Sequence, residues 1–382
     1  MHRKAGALLI ILAVLYGCTW DRGLRRDRQE TPVAYIQHEY GDTAVGPEIG
    51  FSLALWPGFR RAACSLTFDD GTLDQYLLAF PELERRGLKG TFFLITRYTS
   101  TGRWDDQEDT RKLINWDQAR VLHQAGHEIG SHGRTHADFS APGTNVRFEL
   151  LGSYLRLKRE LEQDGGYTLA WTYWRSNPAA RSLAARLYLG ARGGAGVLEK
   201  YMQSGHTYPY RQGFDYYQVG SLGMRNREYA KPWREGGDRI FAEEGWLVLC
   251  FHGFTDGTLE PALLGWEPLH LERFRAILDY VESRGFWVAP FGTVVRYARQ
   301  RELASLRVVE SMERAVVMTL EDGLDDRVFD QQLSIQVNLP PDWTRVEVVQ
   351  HNSPLPLETI PEGVRFDALP DGSAIVLRRI DR

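Results

Sequence analysis

Ala62-Ala63-Cys64-Ser65-Leu66-Thr67-Phe68-Asp69-Asp70-Gly71 is a strand-length apolar run that stops on two adjacent carboxylates and a glycine. Seven residues of this kind suit a strand buried on both faces, as in a parallel sheet. Immediately after it, Leu73, Tyr76, Leu77, Phe80 and Leu83 recur at helical spacing until Gly87. The alternation then repeats. Residues 89–95 predict a strand, 116–125 a helix capped by Gly126, and 127–131 a strand. Leu150, Tyr154, Leu157 and Leu161 mark a helix face, and 169–174 predict another strand. Residues 246–251 form a continuous apolar run, followed by a helix face at Phe274, Ile277, Leu278 and Val281 and a strand over 286–289. Short apolar runs alternating with amphipathic helices are the signature of parallel strands joined by helical crossovers, so residues 61–306 read as one α/β domain.

The flanks read differently. Arg3 and Lys4 precede an apolar run over 5–16 that is too short to span a bilayer, and Leu15-Tyr16-Gly17-Cys18 follows. Residues 1–18 are read as an export signal of the lipoprotein type, with Cys18 as the lipid-bearing residue, because the run resembles a lipobox. A cleaved soluble signal and an uncleaved anchor are the alternatives. Residues 19–60 are polar and read as tether and lead-in. Past 306 the pattern becomes short alternating segments, 334–339, 345–350, 364–369 and 374–378, separated by turn residues. Residues 307–382 are therefore expected to form a small all-β sandwich.

Composition narrows the function. The chain has 382 residues, 46 Lys and Arg against 50 Asp and Glu, and a formal charge of -4. No basic field of the kind that drives nucleic-acid binding exists, and three cysteines make no disulfide framework. A bridge between Cys64 and Cys250 is left open. The acidic group Glu321, Asp322, Asp325 and Asp326 reads as a solvated charge run.

Chemistry-bearing residues gather at predicted strand ends. Asp69 and Asp70 alone read as a plain turn, and His132 and His136 alone as a surface pair at helical spacing, on which both imidazoles would face one side. His252 alone reads as a core or loop histidine. All three groups, however, directly follow predicted strands, and in parallel-strand barrels the C-terminal strand ends form the functional rim. One Asp and two His leave coordination positions open, which is the catalytic and not the structural type of metal site. Phe254-Thr255-Asp256-Gly257-Thr258-Leu259 echoes Phe68-Asp69-Asp70-Gly71-Thr72-Leu73 but lacks the first carboxylate, and is read as a turn.

Thr67-Phe68-Asp69-Asp70-Gly71, the stretch Gly126-His127-Glu128-Ile129-Gly130-Ser131-His132 continuing to His136, and the apolar strand ending in His252 together resemble the NodB-type polysaccharide deacetylases of carbohydrate esterase family four. The resemblance covers 61–306. It implies an irregular (β/α) barrel and a zinc ion, or another divalent transition metal, held by Asp70, His132 and His136. It also implies Asp69 as general base and His252, protonated, as general acid. The bound ion would acidify a water and polarise an acetyl carbonyl. The family's third motif, Arg-x-Pro or Tyr-Pro-x-Gly, is not intact in Leu169-Ala170-Trp171-Thr172-Tyr173-Trp174-Arg175-Ser176-Asn177-Pro178; there Tyr173 is placed at the aromatic position and Arg175 near Asp69 as the positive charge. Trp171, Tyr173 and Trp174 are either sugar platforms or core.

The function expected is metal-dependent hydrolysis of acetyl groups from a carbohydrate, first an N-acetylhexosamine-containing polysaccharide. The alternatives are an O-acetyl esterase, a catalytically degenerate polysaccharide-binding barrel and an amidohydrolase acting on a small amide. The expected partner is an acetylated polysaccharide, with no nucleic acid and membrane contact only through Cys18. The expected location is the cell envelope, otherwise secreted or periplasmic.

Overall fold

The computed structural model describes residues 36–37, 47, 49–104, 111–163, 165–193, 214–225 and 230–380. The export signal, Cys18 and most of the stretch read as tether lie outside the described residues. Among the described residues eight parallel strands, labelled β1 to β8 in chain order, build the α/β part: β1 Ala63–Phe68, β2 Thr91–Leu94, β3 Glu128–Ser131, β4 Leu169–Ala170, β5 Ala191–Arg192, β6 Leu222–Gly223, β7 Trp246–Phe251 and β8 Trp287–Val288. Their order is β5-β4-β3-β2-β1-β7-β6, with β8 beside the first half of β1 and β2 beside its second half. An isolated bridge from Arg192 to Val219, just before β6, brings the two ends of the sheet toward each other. This is the parallel α/β sheet expected from the alternating pattern, curled into the irregular barrel that the family resemblance implies.

Every residue of β1 and β7 is buried. Side chains alternate along a strand, so Leu66, Phe68, Leu249 and Phe251 point outward into one apolar cluster with Leu83, Leu150, Leu157 and Phe274 of the covering helices. The crossover helices start and stop where local chemistry dictates. Trp116–Gln124 opens on a capping box of Asn115 and Gln118, and Gly126 follows it at φ +86°. Val146–Leu161 is capped by Asn145, whose side chain accepts from the Phe148 N–H.

The predicted C-terminal segments are present as Leu333–Asn338, Val346–Gln350, Gly363–Ala368 and Asp371–Arg379, joined by Ser305–Met312 and Ala315–Glu321. With the short strands Ile36–Gln37, Ser353–Pro354, Glu358–Ile360 and Gly50–Leu53 they make, among the described residues, a six-stranded and a four-stranded sheet. Gly50–Leu53, from the stretch read as lead-in, is an edge strand of the second, paired in register with 335–338. Ala63, Phe93, Trp246 and Val248 of the barrel share one apolar core with Phe291, Val294 and Tyr297 of helix Phe291–Leu303. Val316, Ile335 and Leu377 of the β-region belong to that same core. The β-region is thus welded to the barrel by common burial.

Cys64 and Cys250 are both buried free thiols. In the β1–β7 register Cys64 lies opposite Leu247 and Cys250 opposite Thr67. An offset of three residues is about 10 Å at strand rise, beyond the roughly 7 Å that a disulfide spans. Among the described residues no helix is long and apolar enough to cross a membrane.

Candidate active site

The site grows out of strand register. β1 and β7 pair residue for residue from Ala63 with Trp246 to Phe68 with Phe251, so Asp69 and His252 emerge side by side. The Asp69 N–H donates to the Phe251 carbonyl at 2.9 Å. Alternation would aim consecutive carboxylates to opposite faces. Asp70 escapes this because its backbone is left-handed, φ 72°, and both carboxylates line the same cleft. Such a conformation is costly for a non-glycine residue and concentrates at functional sites. Gly71, at φ +68°, has no room for a side chain: a Cβ there would come 2.5 Å from a Leu94 methyl.

His132 follows β3, and its N–H donates to the Leu94 carbonyl at 2.8 Å. Its Nδ1 lies 2.9 Å from the Ala170 carbonyl, an acceptor only, so the proton sits on Nδ1 and the Nε2 lone pair is left to face Asp70. The helical turn expected for residues 132–136 is not formed. Gly133 at φ +76° and His136 at φ +64° break the helix, and the segment is an open loop. The two imidazoles nevertheless converge: His132 Nε2 is 3.5 Å and His136 Nε2 3.4 Å from the same oxygen, Asp70 Oδ1.

Those distances test whether a metal fits. A charge-assisted hydrogen bond would draw the atoms to about 2.7–2.9 Å. Two ligands of a tetrahedral ion with bonds of about 2.0–2.1 Å stand roughly 3.4 Å apart. Asp70 Oδ1 is buried without a hydrogen-bond partner, and the three candidate ligand atoms lie within 4.8 Å of one another. The donor set, one carboxylate and two imidazoles, suits a divalent transition metal.

Burial by itself would raise the Asp69 carboxyl and lower the His132 imidazole. His132 is lowered to about 4, so it is neutral at neutral pH and free to donate a lone pair. For Asp69 burial loses to the Arg192 guanidinium, with His132 and His252 assisting, and the carboxyl is held below its ordinary value. Asp70 is likewise held low against the effect of burial, by the neighbouring His136 imidazole, with His252 and His132 assisting.

Arg192 is the residue that sequence reasoning missed. Fully buried at the end of β5, it donates from Nη2 to Asp69 Oδ2 at 2.5 Å and from Nη1 to Ser221 Oγ at 2.9 Å. The positive charge sought near Asp69 at Arg175 stands here instead. Arg175 is exposed and pairs with Asp138 at 3.2 Å. The signal was slight, a short run, Leu187-Tyr188-Leu189-Gly190-Ala191, ending in an arginine. The strand predicted over 169–174 is cut to Leu169–Ala170, because Tyr173 and Trp174 take left-handed φ values of 54° and 59° in a 3₁₀ turn. That turn lifts Tyr173 to the cleft wall, 59% exposed, with its hydroxyl 3.2 Å from His136 Nδ1, while Trp171 is core.

His252 Nε2 lies 3.8 Å from Asp69 Oδ2, with its ring edge-on to Trp266. Gln75 donates from Nε2 to the main-chain carbonyls of Asp69 at 2.5 Å and His252 at 2.8 Å, tying the two strand exits together. Cys250 Sγ donates to Asp69 Oδ2 at 3.4 Å. The cleft above holds ≈ 470 Å³ and is walled by Trp104, Tyr173, Trp174 and Trp266. The echo at Asp256 is far simpler, a turn in which Oδ1 accepts from the Thr258 N–H and hydroxyl.

Residues 59–190 match the family model described as polysaccharide deacetylase. A gellan lyase of a Bacillus species is 25% identical over 356 residues, which cover 88% of this chain; the chain spans only 13% of the length of that curated relative. A Streptococcus pyogenes deacetylase solved in complex with acetate shares 26% identity, with a TM-score of 0.30 over 34% of this chain and 54% of that one. A Bacillus cereus polysaccharide deacetylase shares 16% identity, with a TM-score of 0.35 over 45% and 50% of the two chains. The stretch that matches this family model carries the strand-exit carboxylates Asp69 and Asp70 and the imidazoles of His132 and His136, all of which line the one cleft, so in this part the chain is similar to the polysaccharide deacetylases.

Proposed function

We propose that this chain removes acetyl groups from a carbohydrate by metal-dependent hydrolysis, with an N-acetylhexosamine-containing polysaccharide as the first substrate and an O-acetylated glycan as the nearest alternative. The observation that carries this reading is one carboxylate oxygen, Asp70 Oδ1, set 3.4 and 3.5 Å from two imidazole nitrogens with a second, arginine-held carboxylate beside it.

Asp70, His132 and His136 would hold the ion, Zn2+ or a similar divalent metal, which when bound supplies Lewis acidity to the acetyl carbonyl and to water. Asp69 takes the proton of the attacking water. Its Oδ1 is buried with no hydrogen-bond partner and is therefore available, while Oδ2 is occupied by Arg192. Arg192 keeps Asp69 ionised in a buried setting where a lone carboxyl would take up a proton. His252, as imidazolium, returns a proton to the departing amine or alcohol, and acetate leaves. The exposed Tyr173 and Trp266 rings offer flat faces for sugar. The alternative of a degenerate polysaccharide-binding barrel rests on the altered third motif over 169–178 and on the appended β-region; against it stands Arg192, whose guanidinium pairs with Asp69.

The test is metal content paired with acetate release, on chitooligosaccharides and on acetylated xylan. The native chain is expected to hold about one divalent ion in a three-ligand site, and His132→Ala to lose both metal and acetate release. Equal activity in His132→Ala would remove the mechanism. Export, with a lipid at Cys18, is proposed separately from the basic and apolar N-terminal run. It is checked by whether the chain partitions with membranes.

A further inference from the structure

His132 and His136 are not placed by a helix, so something else must hold their loop. The backbone between them is irregular, with Gly133 at φ +76° and His136 at φ +64°, and its N–H groups have lost the partners a helix would provide. Glu149, buried in the first turn of the helix Val146–Leu161, meets that need. Its Oε2 accepts from the N–H groups of Arg134 and Thr135, both at 2.8 Å, and its Oε1 accepts from the Thr135 hydroxyl at 2.6 Å. One carboxylate thus binds three donors of the two residues midway between the histidines.

Two further facts separate this from ordinary helix capping. The helix already has its cap, since the Asn145 side chain accepts from the Phe148 N–H. Glu149 is aimed away from its own helix and into the loop, which is fitted closely around it: a Cβ at Gly133 would stand 3.3 Å from Glu149 Oε2. Below, the Gly133 N–H donates to Ser131 Oγ at 3.1 Å, and that hydroxyl meets Ser153 Oγ of the same helix at 2.7 Å. The helix therefore grips the loop at its root and at its crest.

We infer that Glu149 is a positioning residue for the metal-binding histidine pair, fixing the loop so that both Nε2 atoms face Asp70 Oδ1. This rests on the metal reading above. Partners of this kind, which touch the frame of the ligands and not the ion, govern metal affinity by holding ligand directions. A leucine at 149 removes all three acceptor contacts. A glutamine keeps a carbonyl oxygen for the two N–H groups and an amide that the Thr135 hydroxyl can accept from. An aspartate keeps the charge and withdraws it by one methylene.

The experiment titrates metal-free full-length protein, native and Glu149→Leu, →Gln and →Asp, with Co2+, following its visible absorption and competing with a chelator. Thermal midpoint and far-ultraviolet circular dichroism of each metal-free protein are recorded alongside. The expected result is affinity about 10- to 100-fold weaker for Glu149→Leu, with a changed absorption envelope, and near-native affinity for Glu149→Gln. Glu149→Asp should fall between the two, and it decides the question should the leucine variant not fold. Native affinity and an unchanged spectrum in folded Glu149→Leu, or in Glu149→Asp if that variant alone folds, overturn the inference while leaving the proposed function standing. A native chain that binds no Co2+ overturns the metal reading itself, and this inference with it.

Discussion

Two stretches of this chain nearly repeat each other, Phe68-Asp69-Asp70-Gly71-Thr72-Leu73 and Phe254-Thr255-Asp256-Gly257-Thr258-Leu259. Both follow a strand, and both carry a left-handed glycine, Gly71 at +68° and Gly257 at +86°. Their carboxylates live in different worlds. Asp256 is satisfied locally: its Oδ1 takes the Thr258 hydroxyl and N–H, which hold its carboxyl below the ordinary value. Asp69 and Asp70 are buried, each with one oxygen that has no hydrogen-bond partner, and are surrounded by His132, His136, Arg192 and His252 from three other parts of the chain. A turn that satisfies its own acid is finished. An acid withdrawn from water and left one lone pair short is poised for a cation or a proton.

Changing the first stretch should therefore matter far more than changing the second. Asp69→Asn is expected to keep the metal, since Asp70, His132 and His136 are untouched, and to lose about 10²- to 10⁴-fold in acetate release, the usual share of a general base. Metal analysis and single-turnover kinetics on the same preparation check both halves. If Asp69→Asn loses its metal, the separation of roles between the two carboxylates is wrong.

Arg192→Gln should come next. Removing one member of a buried pair costs about 3–5 kcal/mol of stability, readable by urea unfolding. The pH dependence follows from the direction of the shift. Asp69 is held below its unfolded value, so its contribution to stability is present above the ordinary carboxylate range and is lost as pH falls through the depressed value. Without Arg192 that carboxyl moves up, and the acidic limb of the rate profile should move up with it. An unmoved limb would mean that a different group sets it.

Asp256→Asn is expected to do least. Asparagine keeps an oxygen for the Thr258 N–H, so acetate release and metal content should match the native chain. A loss of activity there would show that the echo reaches the site after all.

Much of this arrangement was legible before any coordinates. Continuous apolar runs such as 246–251 announce buried parallel strands, because every side chain in them needs an apolar neighbour whichever face it takes. Residues that end such runs lie on one rim, which is why Asp69, His132 and His252 could be gathered from the chain alone. Arg192 could not. Its strand is two residues long, and its importance comes from a partner 123 positions away. The error over residues 132–136 has a similar root: spacing of four suggests a helix, but three hydrogen bonds to Glu149, itself on another element, outbid the helix for that backbone. The strand Gly50–Leu53 looked like lead-in because its pairing partner is some 280 residues distant.

What the sequence determined by itself is the alternation of strand and helix, the rim on which the acids and imidazoles emerge, and the donor types available there, since these follow from short-range periodicity and residue chemistry. Only the tertiary structure decided which cation neutralises Asp69, how the histidine loop is bent, and that the β-region shares the barrel's core. Those depend on contacts between residues far apart in the chain, and no local pattern carries that information.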